Sequence, residues 1–247
     1  MALQESFEKQ GNWLFKRRSF LPLLIVGIGG GWYMLSLYFN KTSVHEWWVD
    51  FLFLCVGFLG LAIRIFTVGF TPKGTSGRNT GEGQVAEQVN TSGIYAMVRH
   101  PLYLGNFFMW LAPVLILSDL WFTLFFCAFY WIYYERIMFA EEQFLRKKFG
   151  ETYLTWANKT PAFLPKFSLY KKANLEFSLK NVLKREYNGF FNLILMMTLI
   201  RVLGFAVTTR QFYLDLPWII IFSAAFVIFL SLKIMKKFTK ILEVEGR

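Results

Sequence analysis

Two clusters of polar residues have the types and the spacing of a site that holds a small charged molecule. Arg99 and His100 stand directly before Pro101, and Glu142 follows 42 residues after His100, next to Glu141. Proline is well tolerated at the first position of a helix, so Arg99 and His100 are predicted to lie at a helix N-terminus. Free N–H groups and the arginine fork favour a bound anion there. An interfacial anchor, with Arg99 reaching lipid headgroups, is the alternative interpretation.

The acidic cluster lies where a long apolar segment ends. On a helix, Glu135 and Glu142 share a face because they are seven residues apart, whereas Glu141 points about 100° away from Glu142. Acidic side chains that emerge from a membrane helix are costly unless they pair or function. A solvated amphipathic helix is the alternative interpretation, and we prefer it for Glu151.

The segments around these clusters predict membrane helices. Of the 247 residues, 55% are apolar and 20% are aromatic, whereas soluble domains are about 45–50% apolar. About 20 apolar residues span a bilayer as a helix, and backbone groups in lipid must be satisfied internally. We therefore predict an all-α integral membrane protein with about six transmembrane helices, the third and fourth forming a short hairpin that turns at Ser118–Asp119. The predicted spans are Phe20 to Phe39, Trp47 to Phe70, Tyr103 to Leu117, Trp121 to Ile137, Phe190 to Val207 and Pro217 to Leu232.

The distribution of basic residues predicts the orientation. When Arg136, at the end of the fourth span, is counted with the loop that follows it, 23 Lys and Arg residues fall on one side of the predicted membrane and two on the other. This positive-inside pattern places both termini and the polar clusters in the cytoplasm, in a multi-pass protein that we expect in a bacterial inner membrane. The net charge of +11 is therefore a topology signal, with attraction to anionic headgroups, and nucleic-acid binding is excluded.

Other chemistries find little support in the sequence. Cys55 and Cys127 fall in predicted spans and are too few for a disulfide framework or a zinc site, so no metal is expected. The glycine-rich segment from Gly74 to Gly83 is followed by no Gly-Lys-Ser/Thr, so it is not a P-loop, and a flexible connector is the preferred interpretation of its glycines.

The order of the motifs resembles a known family. Arg-His-Pro-x-Tyr-x-Gly at Arg99 to Gly105 is followed by an apolar hairpin, by Glu-Glu-x-x-Leu-x-x-x-Phe-Gly-x-x-Tyr-x-x-aromatic at Glu141 to Trp156, and by Pro161 to Pro165. This order is similar to the isoprenylcysteine carboxyl methyltransferase and phospholipid methyltransferase superfamily, over about Trp47 to Phe167. Trp156 replaces the tyrosine that is more usual in the family.

The resemblance implies an S-adenosylmethionine-dependent methyltransferase with a cytoplasmic cofactor pocket formed by the two motifs. In the family, the residues that match His100, Tyr103, Gly105 and Glu142 help to hold the cofactor. The chemistry agrees, because acids pair with its cations, a helix N-terminus with arginine receives its carboxylate, and aromatic faces suit adenine or the sulfonium. The expected cofactor-binding residues are Tyr95, Arg99, His100, Tyr103, Gly105, Glu141, Glu142 and Trp156.

The methyl acceptor is expected to be a membrane lipid or a lipidated molecule. We expect Arg64, Arg78 and Arg99 to orient an acidic acceptor, either a carboxylate or a lipid phosphate such as that of lipid A, so that these arginines and Glu142 form the catalytic set. Arg64 lies within the second predicted span, where a charge usually faces a cavity or a partner, although snorkelling to the interface is the alternative. Arg201, in the fifth span, is expected to pair inside the bundle.

Three rival functions stay open on the sequence. They are an amine N-methyltransferase of phospholipids, an isoprenylcysteine carboxyl methyltransferase, and a non-catalytic transporter, which would show repeats and broken helices. We expect four parts: residues 1–46 with the first membrane helix, 47–167 as the methyltransferase core, 168–189 as a basic amphipathic segment on the membrane surface, and 190–247 as a two-helix extension.

Overall fold

The computed structural model describes residues 2–18, 20–72 and 84–246. Within these ranges the regular secondary structure is α-helical, apart from 3-10 turns at Ile94–Ala96 and Phe167–Leu169 and one isolated antiparallel bridge between Gly93 and Lys171, and loops connect the helices. The helices are α1 (Leu3–Lys16), α2 (Leu21–Tyr38), α3 (Trp47–Gly69), α4 (Pro101–Ile116), α5 (Leu120–Phe149), α6 (Glu151–Ala157), α7 (Leu179–Thr209) and α8 (Leu216–Phe238).

Four of these helices, α2, α3, α7 and α8, are long and apolar enough to cross a membrane. The third predicted span corresponds to α4, a shorter apolar helix of 16 residues. Such a helix is about 24 Å long and falls short of a hydrocarbon core of ~30 Å. The fourth corresponds to the first part of α5, whose 30 residues run on through the charged motif. The all-α prediction is confirmed for the described residues, with four candidate membrane spans, whereas the count of six spans stays a prediction.

The turn of the α4–α5 hairpin lies where the sequence predicted it. Helix α4 ends at Ile116 and α5 begins at Leu120, with Ser118 in the left-handed region at φ 52°. The Asp119 side chain caps α5 by accepting a hydrogen bond from the Phe122 N–H at 2.9 Å. The chain therefore reverses in three residues and returns toward the end of the bundle where α4 begins.

Glycines let α3 and α4 pack closely. A Cβ built on Gly60 would lie 2.3 Å from the Gly105 carbonyl oxygen, and one built on Gly105 would lie 2.5 Å from Cγ of Arg64. Small residues at such crossings allow backbones in membranes to approach. Gly105, predicted as a cofactor-binding residue, therefore lies at a helix crossing and holds Arg64 against α4.

Helix α7 is longer than predicted. It begins at Leu179 instead of Phe190, so the second half of the segment 168–189 is continuous with the membrane helix. Its first turn docks on the end of α3, because the Ser178 N–H donates to the Gly69 carbonyl at 2.9 Å and Asn181 Nδ2 donates to the Val68 carbonyl at 2.9 Å. This docking brings the start of α7 beside Arg64.

At the other end of the bundle, Arg201 pairs inside the protein as expected. Its NH1 lies 2.6 Å from Asp50 Oδ2 and donates to the His45 carbonyl at 2.9 Å, and its Nε lies 2.5 Å from Asp215 Oδ2. The side chains of Arg201 and Asp50 are each 1% exposed. This cluster ties α3, α7 and the α7–α8 loop together.

Candidate active site

Backbone hydrogen bonds hold the first motif, which begins at Arg99, against the segment 161–166 that follows the second motif. The Arg99 N–H donates to the Pro161 carbonyl at 2.9 Å and the His100 N–H donates to the Ala162 carbonyl at 3.1 Å. The Lys166 N–H donates to the Met97 carbonyl at 3.0 Å. Residues 97–100 and 161–166 therefore run side by side, and this pairing fixes Arg99 and His100 at the start of α4.

The side chains of the two motifs meet across α4 and α5. His100 Nε2 lies 2.9 Å from Glu142 Oε1, and Arg99 NH1 lies 3.2 Å from Glu142 Oε2. The Tyr103 hydroxyl donates to Glu141 Oε2 at 3.0 Å, and His100 Nδ1 lies 3.6 Å from the same oxygen. The two acids, separated from His100 and Tyr103 by a whole hairpin, thus share one polar cluster with them.

The cluster stabilises an ionised Glu142 and a neutral Tyr153. Burial on its own raises the pKa of the Glu142 carboxyl, but the hydrogen bond and charge of His100 and the charge of Arg99 outweigh it, and the net pKa is lowered. Burial, reinforced by the charge of Glu142, raises the pKa of the Tyr153 hydroxyl well above its ordinary value. At neutral pH, Glu142 is therefore an acceptor of hydrogen bonds and Tyr153 keeps its proton.

A cavity opens beside this cluster, and most of the predicted cofactor residues line it. Tyr95, Trp156 and the motif residues Arg99, His100, Tyr103 and Glu141 face it. The Trp156 indole N–H donates to the Tyr95 carbonyl at 3.1 Å, which fixes its ring in the wall. We name this space the donor cavity; its remaining lining is Phe15, Gln84, Val85, Ala86, Gln88, Val89, Asn90, Pro101, Leu102, Phe144, Leu145 and Tyr153.

Tyr153 and Phe15 are among the lining residues that the sequence analysis did not select. Tyr153 stands within the second motif and its spacing from Trp156 was visible, so the motif itself could have identified it. Phe15 comes from α1, which packs along α5, and no local signal ties it to a site more than 80 positions away. Long-range packing of this kind cannot be read from spacing.

The chemistry of the donor cavity fits S-adenosylmethionine. Nε of Arg99 is buried without a hydrogen-bond partner among the described residues. Such a buried donor is rare in folded proteins, and a carboxylate from a ligand would satisfy it. The acids can pair with a cationic group, and Tyr95, Tyr103 and Trp156 supply aromatic faces. The cavity measures about 90 Å³, less than the ~300 Å³ of small ligand sites, so it must widen to admit a cofactor of this size.

Arg64 lies in a second, larger cavity of about 550 Å³ between α4 and α7. Its Nε and NH2 lie 2.7 and 2.9 Å from the two carboxylate oxygens of Glu186, and its NH1 donates to Asn106 Oδ1 at 2.6 Å. Leu102 and Tyr103 line both cavities, so the second cavity adjoins the first. We name it the adjoining cavity; its lining also includes Arg18, Leu23, Val68, Met109, Trp110, Pro113, Tyr134, Arg185, Gly189, Asn192, Leu193, Leu195, Met196 and Leu199.

The remaining predicted site residues lie elsewhere. Gly105 lines neither cavity and occupies the α3–α4 crossing. Arg78 lies outside the described residues. Glu135, a member of the acidic cluster but not a predicted site residue, is about half exposed and pairs with Arg136. Among the described residues, no group of three or more His, Cys, Asp or Glu side chains is arranged to hold a metal ion.

Comparison with known proteins finds a family match for the middle part of the chain. Residues 51–152 match the phospholipid methyltransferase family. Over 140 residues the chain is 31% identical to the cobalt-zinc-cadmium resistance protein CzcN of Cupriavidus metallidurans, covering 56% of this chain and 61% of that protein. It is 27% identical over 140 residues to the nickel-cobalt-cadmium resistance protein NccN of Alcaligenes xylosoxydans xylosoxydans, covering 56% of this chain and 62% of the relative.

A third relative is an enzyme by name. The chain is 38% identical over 76 residues to the protein-S-isoprenylcysteine O-methyltransferase of Schizosaccharomyces pombe, covering 30% of this chain and 32% of the enzyme. Each match spans less than two thirds of the relative. No solved structure matches the chain. The resemblance predicted from the two motifs is confirmed: residues 51–152 match the phospholipid methyltransferase family, and part of the chain is similar to an isoprenylcysteine O-methyltransferase.

Proposed function

We propose that the protein is an S-adenosylmethionine-dependent methyltransferase that modifies a membrane lipid or a lipidated molecule at the cytoplasmic face. One observation carries this proposal: His100 contacts Glu142 at 2.9 Å and Tyr103 contacts Glu141 at 3.0 Å, so that both motifs of the family meet beside one cavity. The alternation of basic residues along the chain supports the cytoplasmic placement, with both termini on that side.

The donor cavity has a residue for each charged part of the cofactor. Nε of Arg99 would receive its carboxylate, and Glu141, whose partner Tyr103 is neutral, would pair with a cationic group. Glu142 holds His100 and Arg99 in place through its ionised carboxylate. When bound, S-adenosylmethionine supplies an electrophilic methyl group that needs no covalent help from the protein.

The protein's own contribution is alignment. Tyr103 lines both cavities, so a headgroup at the near end of the adjoining cavity reaches the donor across this residue. Holding two reactants in line can supply about 7–11 kcal/mol of the barrier. An acceptor oxygen that is already anionic needs no base, only cations that orient it, and Arg64 and Arg99 stand on the two sides of Tyr103. O-methylation of a carboxylate or of a lipid phosphate, such as that of lipid A, is therefore the function that we propose first.

N-methylation of a lipid amine is the second candidate, and Glu186 is the observation that favours it. An ammonium group must lose a proton before it attacks a methyl carbon. Glu186 is the carboxylate that lines the adjoining cavity, and its side chain is 5% exposed. Lipid extracts of cells with and without the gene, analysed by mass spectrometry, separate a methyl ester from a methylated amine.

Calorimetric titration of the purified protein with S-adenosylmethionine tests the proposal. We expect Glu142→Gln to weaken binding at least tenfold, because His100 and Arg99 lose the charge that holds them. Glu151→Gln is the matched control, since Glu151 is an exposed acid outside the cavity lining and its loss should leave the affinity unchanged. Equal affinities for the wild type and Glu142→Gln would contradict the proposal.

A further inference from the structure

The end of the bundle opposite the donor cavity holds an aspartate, a histidine and a serine joined by hydrogen bonds. Nδ1 of His45 lies 3.0 Å from Oδ1 of Asp50, and Nε2 of His45 is hydrogen-bonded to Oγ of Ser118. Asp50 lies in the first turn of α3, and Ser118 lies in the turn of the α4–α5 hairpin. Because Ser118 is 73 positions from His45, only the fold brings the hydroxyl to the imidazole.

The three side chains run from the interior of the protein to its surface. The side chain of Asp50 is 1% exposed, that of His45 is 18% exposed, and Ser118 is exposed. A buried carboxylate that orients an imidazole, which in turn contacts a hydroxyl, is the arrangement that activates a serine nucleophile. The order of the polar atoms, from carboxylate to Nδ1 and from Nε2 to Oγ, is that of a catalytic triad, which is recognised by geometry and not by sequence position.

The partners of Asp50 indicate which nitrogen of His45 carries the hydrogen. Oδ2 of Asp50 lies 2.6 Å from NH1 of Arg201 in an ion pair, and a carboxylate only accepts hydrogen bonds. Nδ1 of a neutral imidazole must therefore donate to Asp50, which leaves Nε2 to accept from the Ser118 hydroxyl. NH1 of Arg201 also donates to the His45 carbonyl at 2.9 Å and fixes its backbone. His45 thus has the tautomer and the position of a general base.

The backbone presents Ser118 at a sharp turn before a helix. Its φ is 52°, in the left-handed region that few residues other than glycine adopt. Nucleophilic serines can stand on a strained turn that leads into a helix, and backbone strain of this kind clusters at functional sites. Helix α5 begins two residues later, at Leu120. Its first turn supplies N–H groups that the helix itself does not use and that can stabilise an oxyanion.

The surface around Ser118 is apolar, which favours an ester that carries a hydrocarbon chain. Leu120, Trp121 and Trp32 are all more than half exposed. Nε1 of Trp32 donates to Oδ2 of Asp119 at 3.2 Å, so its ring lies beside the turn. Exposed tryptophans are typical of the membrane–water interface, and the ester bonds of amphiphiles lie at the same depth.

We propose that Ser118, His45 and Asp50 form a serine hydrolase site that cleaves carboxylic esters of amphiphiles. Oγ of Ser118 bonds to the carbonyl carbon, the electron pair of the carbonyl bond moves to its oxygen, and the hydroxyl proton passes to Nε2 of His45. Collapse of the tetrahedral intermediate breaks the bond to the alcohol, which takes that proton. Water then cleaves the acyl-serine by the same two steps, which releases the carboxylic acid and restores Ser118.

This inference goes beyond the proposed methyl transfer and does not rest on it. Helix α4 separates the two sites, since Arg99 lies just before its start and Ser118 just after its end. Its 16 residues span about 24 Å. Ester cleavage needs water and no methyl donor, so each activity can be present in a protein that lacks the other.

Covalent labelling with an octyl fluorophosphonate tests the site on the full chain in detergent, without S-adenosylmethionine. Such a probe reacts with a serine that a base activates. We expect one label, located on Ser118 by mass spectrometry, and its loss in Ser118→Gly, where glycine keeps the positive φ. Ser43→Gly removes an exposed serine from the loop that carries His45 and should leave the labelling unchanged. A wild type without label on Ser118 overturns the inference.

A variant of the base distinguishes an activated serine from a merely hydrogen-bonded one. The amide of His45→Gln can still contact Ser118 but cannot take its proton. We expect the rate of labelling to fall about a hundredfold or more, which is the usual contribution of a general base. Labelling of Ser118 at the wild-type rate in this variant would show that His45 has no catalytic part.

Hydrolysis of two p-nitrophenyl esters tests the class of substrate. The kcat/KM of the wild type for the octanoyl ester should exceed that for the acetyl ester about tenfold or more, because the longer chain can cover Leu120 and Trp121. The Ser118→Gly variant should cleave neither ester. Equal values for the two esters would contradict an amphiphile as the substrate, and cleavage by Ser118→Gly at the wild-type rate would overturn the site.

Discussion

Arg64 and Arg201 are two arginines inside membrane helices with different surroundings. Arg201 faces two carboxylates and a carbonyl, and its side chain is 1% exposed. Arg64 faces one carboxylate and one amide, is 19% exposed, and borders a cavity of about 550 Å³. A charge in the membrane interior must be compensated. Full compensation in a sealed place indicates a structural role, whereas partial compensation beside open space indicates a binding role.

The largest effect should follow from breaking the sealed cluster. In Arg201→Met, Asp50 and Asp215 lose their shared cation, and Asp50 is 1% exposed. Uncompensated buried charge destabilises a protein by about 3–5 kcal/mol. Chemical unfolding in detergent should show a loss of this order, while S-adenosylmethionine affinity of the folded fraction should not change. An unchanged free energy of unfolding would contradict the structural role of Arg201.

The helix crossing that holds Arg64 should give the next largest effect. In Gly105→Ala the new Cβ would lie 2.5 Å from Cγ of Arg64 and 2.8 Å from the Gly60 carbonyl oxygen, and the backbone cannot yield easily. Overpacking of this kind costs about 1–3 kcal/mol. Gly27→Ala is the control, because nothing lies within 4 Å of its Cβ position. Equal unfolding midpoints for both variants would show that the crossing tolerates a side chain.

Removing the negative charge of Glu186 tests the role of Arg64 without changing the size of either side chain. Glu186→Gln keeps the size of the side chain but leaves the Arg64 guanidinium uncompensated beside the cavity. We expect a several-fold stronger preference for anionic over amine acceptors, measured as the ratio of kcat/KM values for the two. A preference that moves toward amines would assign Glu186 a different role.

The smallest effect concerns pH. The pKa of Glu142 is lowered below its ordinary value of 4.5 in the folded protein, so its ionised form stabilises the fold above that value, and this contribution is lost as the pH falls through the lowered pKa. Unfolding measured from pH 7 downward should therefore show a steeper loss below about pH 4.5 in the wild type than in Glu142→Gln. Parallel curves would show that Glu142 gains nothing from His100 and Arg99.

The sequence predicted the elements better than their contacts. Apolar length located α2, α3, α7 and α8, and the turn signal at Ser118–Asp119 located the hairpin, because both depend on local chemistry. Motif order placed His100 near Glu142. That Arg64 orients the acceptor stays a prediction. Its partner Glu186 is 122 residues away, and no local pattern reports such a pairing.

Helix α7 begins eleven residues before the fifth predicted span, for a related reason. The basic residues Lys180, Lys184 and Arg185 resemble a surface helix by composition, so a boundary at Phe190 followed from hydropathy alone. The structure continues the helix through them, since Ser178 and Asn181 dock its first turn on α3. A tertiary contact thus set the boundary that composition could not.

A double-mutant cycle on His100 and Glu142 tests whether the two motifs act as one site. The S-adenosylmethionine affinities of His100→Gln, Glu142→Gln and the double variant are measured by calorimetry. Since the two side chains touch at 2.9 Å, the double variant should lose little more affinity than either single variant, with a coupling of about 1 kcal/mol or more. Losses that simply add, or single variants that bind like the wild type, would contradict a shared cofactor site.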